Sequence, residues 1–249
     1  METLNILRIL KRKLLRQRNS TQTLHCMFLD YLRYATPGMC ATGNIYLFDK
    51  VIRELNSNLP ILEIGSWCGQ SANIITYLLR KHGKQNQLFT CDGWKYEAKN
   101  HPPLFPDSDV LFADYYAFIK SSYIRNTEFF SAGRLPHSIH LTSNEFFDEW
   151  RKNAVLTDIF GRSVQLGGNF AFCFINGDHA YEPAAQDFTN CDAHLETGGF
   201  ILLDDSATDG GWPGAYQVAE EAIGNPRYKL VSRNPNVLVQ KQGANALVN

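Results

Sequence analysis

The feature that most constrains this chain is an alternation of short apolar segments with longer helical ones. The apolar runs predict five strands, at residues 61–64, 87–92, 138–142, 169–175 and 200–203. Strands that alternate with helices form parallel sheets through right-handed crossovers. Two further predicted strands, 228–232 and 237–241, are joined by too few residues for a crossover and form a hairpin. The pattern predicts an α/β fold whose seven-stranded sheet is mostly parallel, with one antiparallel strand at its C-terminal end.

Two segments fall outside this alternation. Residues 1–58 are predicted to form an N-terminal helical extension, and residues 59–249 the domain that contains the sheet. Within that domain, residues 94–137 are an aromatic-rich insertion between the second and third strands. One stripe in the insertion has helical spacing, which favours packing in a local core: Phe112, Tyr115, Tyr116 and Ile119. The insertion also contains the candidates for substrate contact: Trp94, Tyr96 and His101.

The charge and cysteine content exclude several classes of protein. The 249 residues have a formal net charge of −1, so no positive field favours nucleic acid as a partner. None of the six cysteines forms a C-x-x-C pair, which favours reduced thiols over a zinc site. Without a targeting signal in the sequence, we expect a cytoplasmic protein.

The first 20 residues have a pattern of their own. They interleave Lys and Arg with Leu and Ile, but their apolar runs are too short for a signal peptide or a membrane span. Such a segment either packs as a helix on its own domain or a partner subunit, or lies on an anionic surface. The N-terminal helices therefore offer a surface for a homo-oligomer.

The strongest local motif is the segment 63–71, EIGSWCGQS, which joins the first strand to a helix. Glycines at such a turn let the backbone approach a ligand closely, and the helix N-terminus presents unpaired N–H groups. Asp92 ends the second strand, where an acid can accept hydrogen bonds from ribose hydroxyls. Together they predict a cofactor that contains a nucleoside. The spacing G-x-x-x-G lacks the third glycine of the dinucleotide fingerprint, which disfavours a dehydrogenase.

These residues resemble class I S-adenosylmethionine-dependent methyltransferases, and most nearly the subgroup of macrocin and related sugar O-methyltransferases. Four segments carry the resemblance, which extends over roughly residues 45–241: 61–71, 88–94, 171–181 and 198–205. The resemblance implies the Rossmann-like fold of that class and S-adenosylmethionine as the cofactor. It also implies that the reaction is methyl transfer to a hydroxyl group of a small molecule.

The resemblance further implies roles for individual residues. Those implied for cofactor binding are Glu63, Gly65, Ser66, Gly69, Ser71, Asp92, Gly93, Trp94, Ser143 and Asn144. Metal-dependent relatives hold Mg²⁺ with acidic residues after the fourth and fifth strands, and the matching positions here are Asn176, Asp204 and Asp205. Asn176 replaces a carboxylate and so removes one negative charge from such a site. His179, or failing that Asp178, occupies the position of the general base that takes the acceptor's proton.

Two other functions share parts of this pattern. Methyltransferases that act on amino groups of nucleic acids commonly have an Asn/Asp-Pro-Pro-aromatic motif after the fourth strand, whereas this chain has NGDH at 176–179. A non-catalytic cofactor-binding subunit would need the glycine turn and Asp92 but not the acids near the methyl group. For an O-methyltransferase, the sequence leaves the acceptor open between a sugar, a phenol and another hydroxylated metabolite.

Overall fold

The structure, a computed structural model, describes residues 21–95 and 103–243. Segment 1–20, Tyr96 and His101 lie outside these ranges, and so do the predictions made for them. The helices are α1 (Met27–Ala35), α2 (Thr42–Glu54), α3 (Gln70–Lys81), α4 (Phe112–Phe130), α5 (Ser143–Arg151), α6 (Tyr181–His194) and α7 (Pro213–Gly224). The strands are β1 (Ile61–Ile64), β2 (Leu88–Cys91), β3 (His137–Ile139), β4 (Val155–Thr157), β5 (Ser163–Gln165), β6 (Phe170–Ile175), β7 (Leu195–Leu203), β8 (Tyr228–Arg233) and β9 (Val237–Lys241).

Seven of these strands form one sheet, in the order β3-β2-β1-β6-β7-β9-β8. The first five strands in this order pair in parallel, whereas β9 runs antiparallel to both β7 and β8. The predicted sheet, mostly parallel with one antiparallel strand, is therefore confirmed. β4 and β5 form a separate antiparallel hairpin that the sequence pattern did not predict. Each has only three residues, too few for a periodic pattern to show.

The third strand is shorter than predicted. It ends at Ile139, and the predicted strand residues 140–142 form a turn before α5. Thr142 caps that helix, because its hydroxyl accepts a hydrogen bond from the backbone N–H of Glu145 while the Glu145 carboxylate accepts one from the N–H of Thr142. This reciprocal capping box favours a helix start over a longer strand. The turn brings Ser143 to the carboxyl edge of the sheet.

Helices cover both faces of the sheet. One apolar core lies between the sheet and α1–α4, and a second lies between the sheet and α5–α7. All six residues of β6 are buried, as expected for a central strand covered on both sides. The ring of Phe48 on α2 meets those of Phe174 and Phe172 edge-on, with centroids 4.9 and 6.2 Å apart. Helix α2 therefore packs directly on the sheet.

Much of the aromatic-rich insertion is α4, the crossover helix between β2 and β3. The Tyr123 hydroxyl lies 2.9 Å from that of Thr90 on β2 and 2.6 Å from that of Ser138 on β3. Ile119 is buried in the core, as its helical spacing predicted. Tyr115 and Tyr116 are only partly buried. Within the described ranges, no helix is long and apolar enough to cross a membrane.

Truncation of Phe48 tests the packing of α2 on the sheet. Phe48→Ala removes a fully buried ring and leaves a cavity, so we expect the free energy of unfolding to fall by about 3–5 kcal/mol. Phe129 is 75% exposed, and Phe129→Ala should change that free energy by less than about 0.5 kcal/mol. Urea unfolding followed by circular dichroism measures both, and equal effects would contradict the described packing.

Candidate active site

The candidate site lies where the strand order reverses. In open parallel sheets, ligands bind outside the carboxyl ends of the strands at this position, which here falls between β1 and β6. Two adjoining cavities open there, with volumes of about 550 Å³ and about 440 Å³. Gly65, Asp92 and Gly177 line both of them, so the two cavities form one cleft.

The glycine turn after β1 forms the floor of the cleft. Gly65 has a φ of 80°, and a Cβ atom on it would lie 2.0 Å from the backbone oxygen of Asn176. Gly69 has a φ of 84° and is the N-cap of α3. Side chains at these positions would be strained, since L residues rarely adopt such angles. Glycine thus lets the loops after β1 and β6 approach each other closely.

Asp92 fixes the shape of this turn. One carboxylate oxygen accepts hydrogen bonds from the backbone N–H groups of Ser66 and Trp67, both at 2.9 Å. The other accepts a bond of 2.8 Å from the N–H of Trp94. Burial raises the pKa of Asp92, and these three donors partly offset that effect. Asp92 lines both cavities, and its carboxylate also holds the surrounding backbone together.

Glu63 is fully buried beneath the turn. Neither of its carboxylate oxygens has a hydrogen-bond partner among the described residues. Burial raises the pKa of Glu63 to about 8. The hydroxyls of Ser71 and Ser66 lie near enough to lower it somewhat, but neither completes a hydrogen bond with the carboxylate. Glu63 lines neither cavity, so its carboxyl group is enclosed by the protein itself.

Half of the side chains that line the larger cavity are aromatic or apolar: Met39, Cys40, Trp67, Cys68, Tyr115, Tyr116, Ile119 and Trp212. Gln70 fixes one wall, since its amide group donates hydrogen bonds to the backbone oxygens of Arg33 and Thr36 and its carbonyl accepts one from the N–H of Cys40. Of the described residues that line this cavity, none is a lysine or arginine. Three are acids: Asp92, Asp204 and Asp205.

His179 lines the larger cavity beside Asp205 and Trp212. Its Nε2 atom lies 3.4 Å from Oδ2 of Asp205, and its ring stacks on that of Trp212 with centroids 5.8 Å apart. A carboxylate at Nε2 favours the tautomer that carries the proton on that nitrogen, which leaves Nδ1 as the basic atom. A histidine next to an acid in this way can act as a general base.

Asp204 is held by two amide side chains. Its Oδ1 atom accepts hydrogen bonds from Nδ2 of Asn44 at 2.5 Å and from Nδ2 of Asn236 at 2.6 Å. Burial raises the pKa of Asp204 to about 6, the bond from Asn44 lowers it, and the charge of Asp205 raises it further. These contacts join α2, the end of β7 and the turn before β9.

The three predicted metal ligands lie together, but they do not fit Mg²⁺. Asp204 is engaged by two amides, Asp205 faces His179, and Nδ2 of Asn176 lies 3.4 Å from the carbonyl oxygen of Gly65. Mg²⁺ requires near-octahedral oxygen ligands. Across residues 21–95 and 103–243, no group of three or more His, Cys, Asp or Glu side chains could hold a metal ion.

The smaller cavity lies on the β2–β3 side of Asp92. Residues predicted to contact the ribose and adenine line it: Gly93, Trp94 and Ser143. Asp178 also lines this cavity, and its Oδ1 atom accepts a hydrogen bond of 2.9 Å from the N–H of Ala180. The two predicted bases, although adjacent in sequence, therefore face different cavities, and only His179 faces the larger one. Trp94, which was also a candidate for substrate contact, lines the smaller cavity and not the larger one.

Of the predicted cofactor residues, Gly65, Ser66, Ser71, Asp92, Gly93, Trp94 and Ser143 line the cleft. Glu63, Gly69 and Asn144 do not. Oδ1 of Asn144 accepts a hydrogen bond of 3.4 Å from Nδ2 of Asn190, so this side chain points toward α6. Sequence reasoning missed Met39, Asp187 and Trp212, which belong to no motif, and Gln70, which lies in the motif at 63–71 but was given no role. The helical spacing of Tyr115 and Tyr116 placed them in a core, yet they also line the larger cavity.

Comparison with known proteins identifies the family. Residues 62–206, more than half of the chain, match the model of a methyltransferase domain family. The chain belongs to this family. It is an S-adenosylmethionine-dependent methyltransferase of class I, as its motifs implied. No curated protein matches its sequence.

Solved methyltransferase structures share the fold. The O-methyltransferase TomG from Streptomyces achromogenes has a TM-score of 0.55 at 13% identity, over 91% of this chain and 95% of TomG. The methyltransferase PaMTH1 from Podospora anserina has a TM-score of 0.56 at 13% identity, over 95% of this chain and 96% of PaMTH1. The calicheamicin methyltransferase CalS11 has a TM-score of 0.53 at 14% identity, over 80% of this chain and 79% of CalS11. At these identities, the similarity establishes the Rossmann-like fold alone.

The buried carboxyl group of Glu63 should make stability depend on pH. Its pKa is raised from 4.5 to about 8 in the folded protein, so the folded state retains a proton that the unfolded chain has lost. Between these values, the free energy of unfolding should fall as pH rises, at up to about 1.4 kcal/mol per pH unit. Glu63→Gln should remove this contribution, and be more stable than wild type at pH 8 but not at pH 5.

Urea unfolding at pH 5, 6, 7 and 8 measures this dependence. Glu128→Gln, at an exposed position on α4, is the control and should follow wild type at every pH. Parallel stability profiles for wild type and Glu63→Gln would show that Glu63 does not retain the proton.

Proposed function

We propose that this methyltransferase transfers the methyl group of S-adenosylmethionine to a hydroxyl group on an uncharged ring bound in the larger cavity. The pairing of His179 with Asp205 at the wall of that cavity supports this reaction most directly. Asp92, Gly93, Trp94 and Ser143 would hold the adenosine part of the cofactor in the smaller cavity. The glycine turn after β1, with Gly65, Ser66 and Ser71 at the cleft, would hold its methionine part.

The main chemical task of the protein is to remove a proton from the acceptor. When bound, S-adenosylmethionine supplies a methyl group on a positively charged sulfur, and the C–S bond breaks as the acceptor oxygen forms the new O–C bond. A hydroxyl becomes a good nucleophile as its proton leaves, so a base must stand beside it. His179 takes the proton at Nδ1, and the Asp205 carboxylate stabilises the resulting imidazolium. Asp178, which faces the smaller cavity, has no part in this step.

The walls of the larger cavity indicate the class of acceptor. Aromatic rings such as those of Tyr115 and Trp212 stack on flat phenols and on the apolar faces of sugars. The bordering acids disfavour an anionic acceptor, since each unit charge at about 6 Å costs about 3 kcal/mol at an effective dielectric constant of 20. We therefore expect a phenol or sugar without phosphate or carboxylate groups. CalS11 is named as a TDP-rhamnose 3'-O-methyltransferase, and this acceptor would differ from that charged sugar.

No step in this scheme uses Mg²⁺, because the residues at its predicted site do not fit the ion. In metal-dependent relatives, a cation balances the charge at the end of the fifth strand. Here the amide groups of Asn44 and Asn236 stabilise the charge of Asp204 instead. The reaction then depends only on the position of the acceptor hydroxyl relative to the methyl group and on the base.

The assembly and location of the protein are also part of this proposal. Residues 59–249 form the catalytic domain, and residues 1–58 are an N-terminal extension. On α1, the side chains of Met27, Tyr31 and Tyr34 are 90%, 60% and 89% exposed, which gives a second copy of the chain an apolar surface to cover. The protein acts in the cytoplasm on a small molecule, and nucleic acid is not its substrate.

The base is tested by substitution. His179→Ala should lower kcat by about 10²–10⁴-fold, because the acceptor proton then has no base, while S-adenosylhomocysteine raises the melting temperature as in wild type. Asp205→Asn should lower kcat less, because the imidazolium then loses the carboxylate that stabilises it. His25→Ala, at an exposed position, is the control and should leave kcat unchanged.

These rates are measured with a labelled methyl donor and a panel of phenols and glycosides, before and after treatment with EDTA. Activity that is lost on chelation and restored by Mg²⁺ would contradict the metal-free scheme. An unchanged kcat in His179→Ala would remove His179 from the reaction. If S-adenosylhomocysteine produced no thermal shift in folded protein, the placement of the cofactor would be wrong.

The acceptor's charge is tested with matched compounds. Catechol, dopamine and 3,4-dihydroxybenzoate share the same pair of hydroxyls and differ in charge. A methyl glycoside and its phosphate form a second matched set. In each set, the anionic member should have a kcat/KM at least about 10-fold below that of its neutral counterpart, because the acids that line the cavity repel it. A preference for the anion in either set would contradict the uncharged acceptor.

A further inference from the structure

Asp187, on α6, is a buried carboxylate that the scheme above does not use. Its side chain lines the smaller cavity, and the residue is only 3% exposed. Burial raises the pKa of Asp187 to about 6. The Ser143 hydroxyl stabilises the charged form, and the nearby carboxylate of Asp178 destabilises it. Asp187 is thus desolvated and receives little compensation from the protein.

Another buried carboxylate of the chain shows how an acid with a structural role is held. Asp158 accepts hydrogen bonds from the backbone N–H groups of Phe160 and Arg162, and from the guanidinium group of Arg162. A buried carboxylate is costly unless its oxygens accept such bonds. Among the described residues, only the Ser143 hydroxyl stabilises the charge of Asp187 by hydrogen bonding, so a ligand in the smaller cavity can supply a further donor.

The path from the cavity to this carboxylate is open because residue 177 is glycine. A Cβ atom on Gly177 would lie 3.1 Å from Oδ2 of Asp187. The same cavity is lined by Asp92, Gly93 and Trp94, the residues proposed to hold the cofactor's adenosine. The hydrogen-bond donor of an adenine ring is its exocyclic amino group.

We propose that Asp187 accepts a hydrogen bond from the exocyclic amino group of the cofactor's adenine, and that it selects adenine over bases that lack this group. This assignment rests on the proposed placement of adenosine in the smaller cavity. It makes Asp187 a specificity-determining residue for the cofactor, remote from the acceptor and from His179. A site built to bond a polar group discriminates strongly against a ligand without it, because its own buried polar atom is then left unpaired.

Three S-nucleosidylhomocysteine ligands that differ only in the base test the hydrogen bond between Asp187 and the amino group. S-adenosylhomocysteine has the amino group, S-tubercidinylhomocysteine keeps it but lacks N7 of the ring, and S-nebularinylhomocysteine has hydrogen in its place. Isothermal titration of the full chain should give similar Kd values for the first two ligands. The third should bind about 10–100-fold more weakly, the effect of losing a hydrogen bond to a charged group.

Substitutions at Asp187 should change this pattern. In Asp187→Leu, the three ligands should bind within about threefold of one another, because the acceptor of the amino group is gone. Asp187→Asn keeps a carbonyl acceptor and should retain a preference for the amino-bearing ligands. Glu182→Gln, at an exposed position on the same helix, is the matched control and should behave as wild type. Thermal unfolding without ligand establishes that each variant is folded.

Wild-type protein that binds S-nebularinylhomocysteine as tightly as S-adenosylhomocysteine would overturn the proposal. An undiminished preference in Asp187→Leu would do the same. If Asp187→Leu does not fold, the wild-type ligand series and Asp187→Asn decide the question, because neither depends on it. Folded wild-type protein that binds none of the three ligands would contradict the placement of the cofactor itself, which is a separate failure.

Discussion

The carboxylate of Asp92 accepts three backbone hydrogen bonds, two from the turn after β1 and one from the loop after β2. These bonds decide how the two loops lie against each other, and both cavities of the cleft depend on that arrangement. A buried acid with three N–H donors is a strong constraint, since each donor lost would leave charge uncompensated in a poorly solvated place. The same carboxylate thus shapes the cleft and lies where a ribose is expected.

This constraint comes with local strain. Outside glycine, the described residues with positive φ are Trp67 at 43°, Trp94 at 36°, Asn153 at 53° and Asp205 at 50°. Trp67 and Trp94 both donate backbone hydrogen bonds to Asp92, and the indole N–H of Trp94 donates to the carbonyl oxygen of Trp67 at 3.0 Å. Asp205 contacts His179. Unusual backbone angles therefore cluster at the cleft, where surrounding hydrogen bonds hold side chains in positions that a relaxed backbone would not give them.

The sequence predicted the sheet well because strand periodicity and crossover rules act over short distances. The glycine turn and Asp92 were predictable for the same reason, since each directly follows a recognisable strand, whereas the role of His179 was implied only by the family resemblance. The sequence could not show which of Asp178 and His179 faces the larger cavity. The direction of each side chain depends on how the loop packs against α6 and Trp212. Nor could the sequence predict that Asn44 and Asn236 would donate hydrogen bonds to Asp204, since those residues lie 160 and 32 positions away in the chain. Asp187 had no motif to mark it, and only its burial beside Ser143 distinguishes it.

The contacts of Asp204 have a consequence for the order in which the site is completed during synthesis. A nascent chain that has emerged as far as the turn after β7 already contains the glycine turn, Asp92, His179 and Asp204. Asn236 emerges later. Until it docks, the carboxylate of Asp204 lacks one of its two amide donors. The hydrogen bonds of Asp204 at the wall of the larger cavity are therefore complete only when the C-terminal hairpin of β8 and β9 has docked on the sheet.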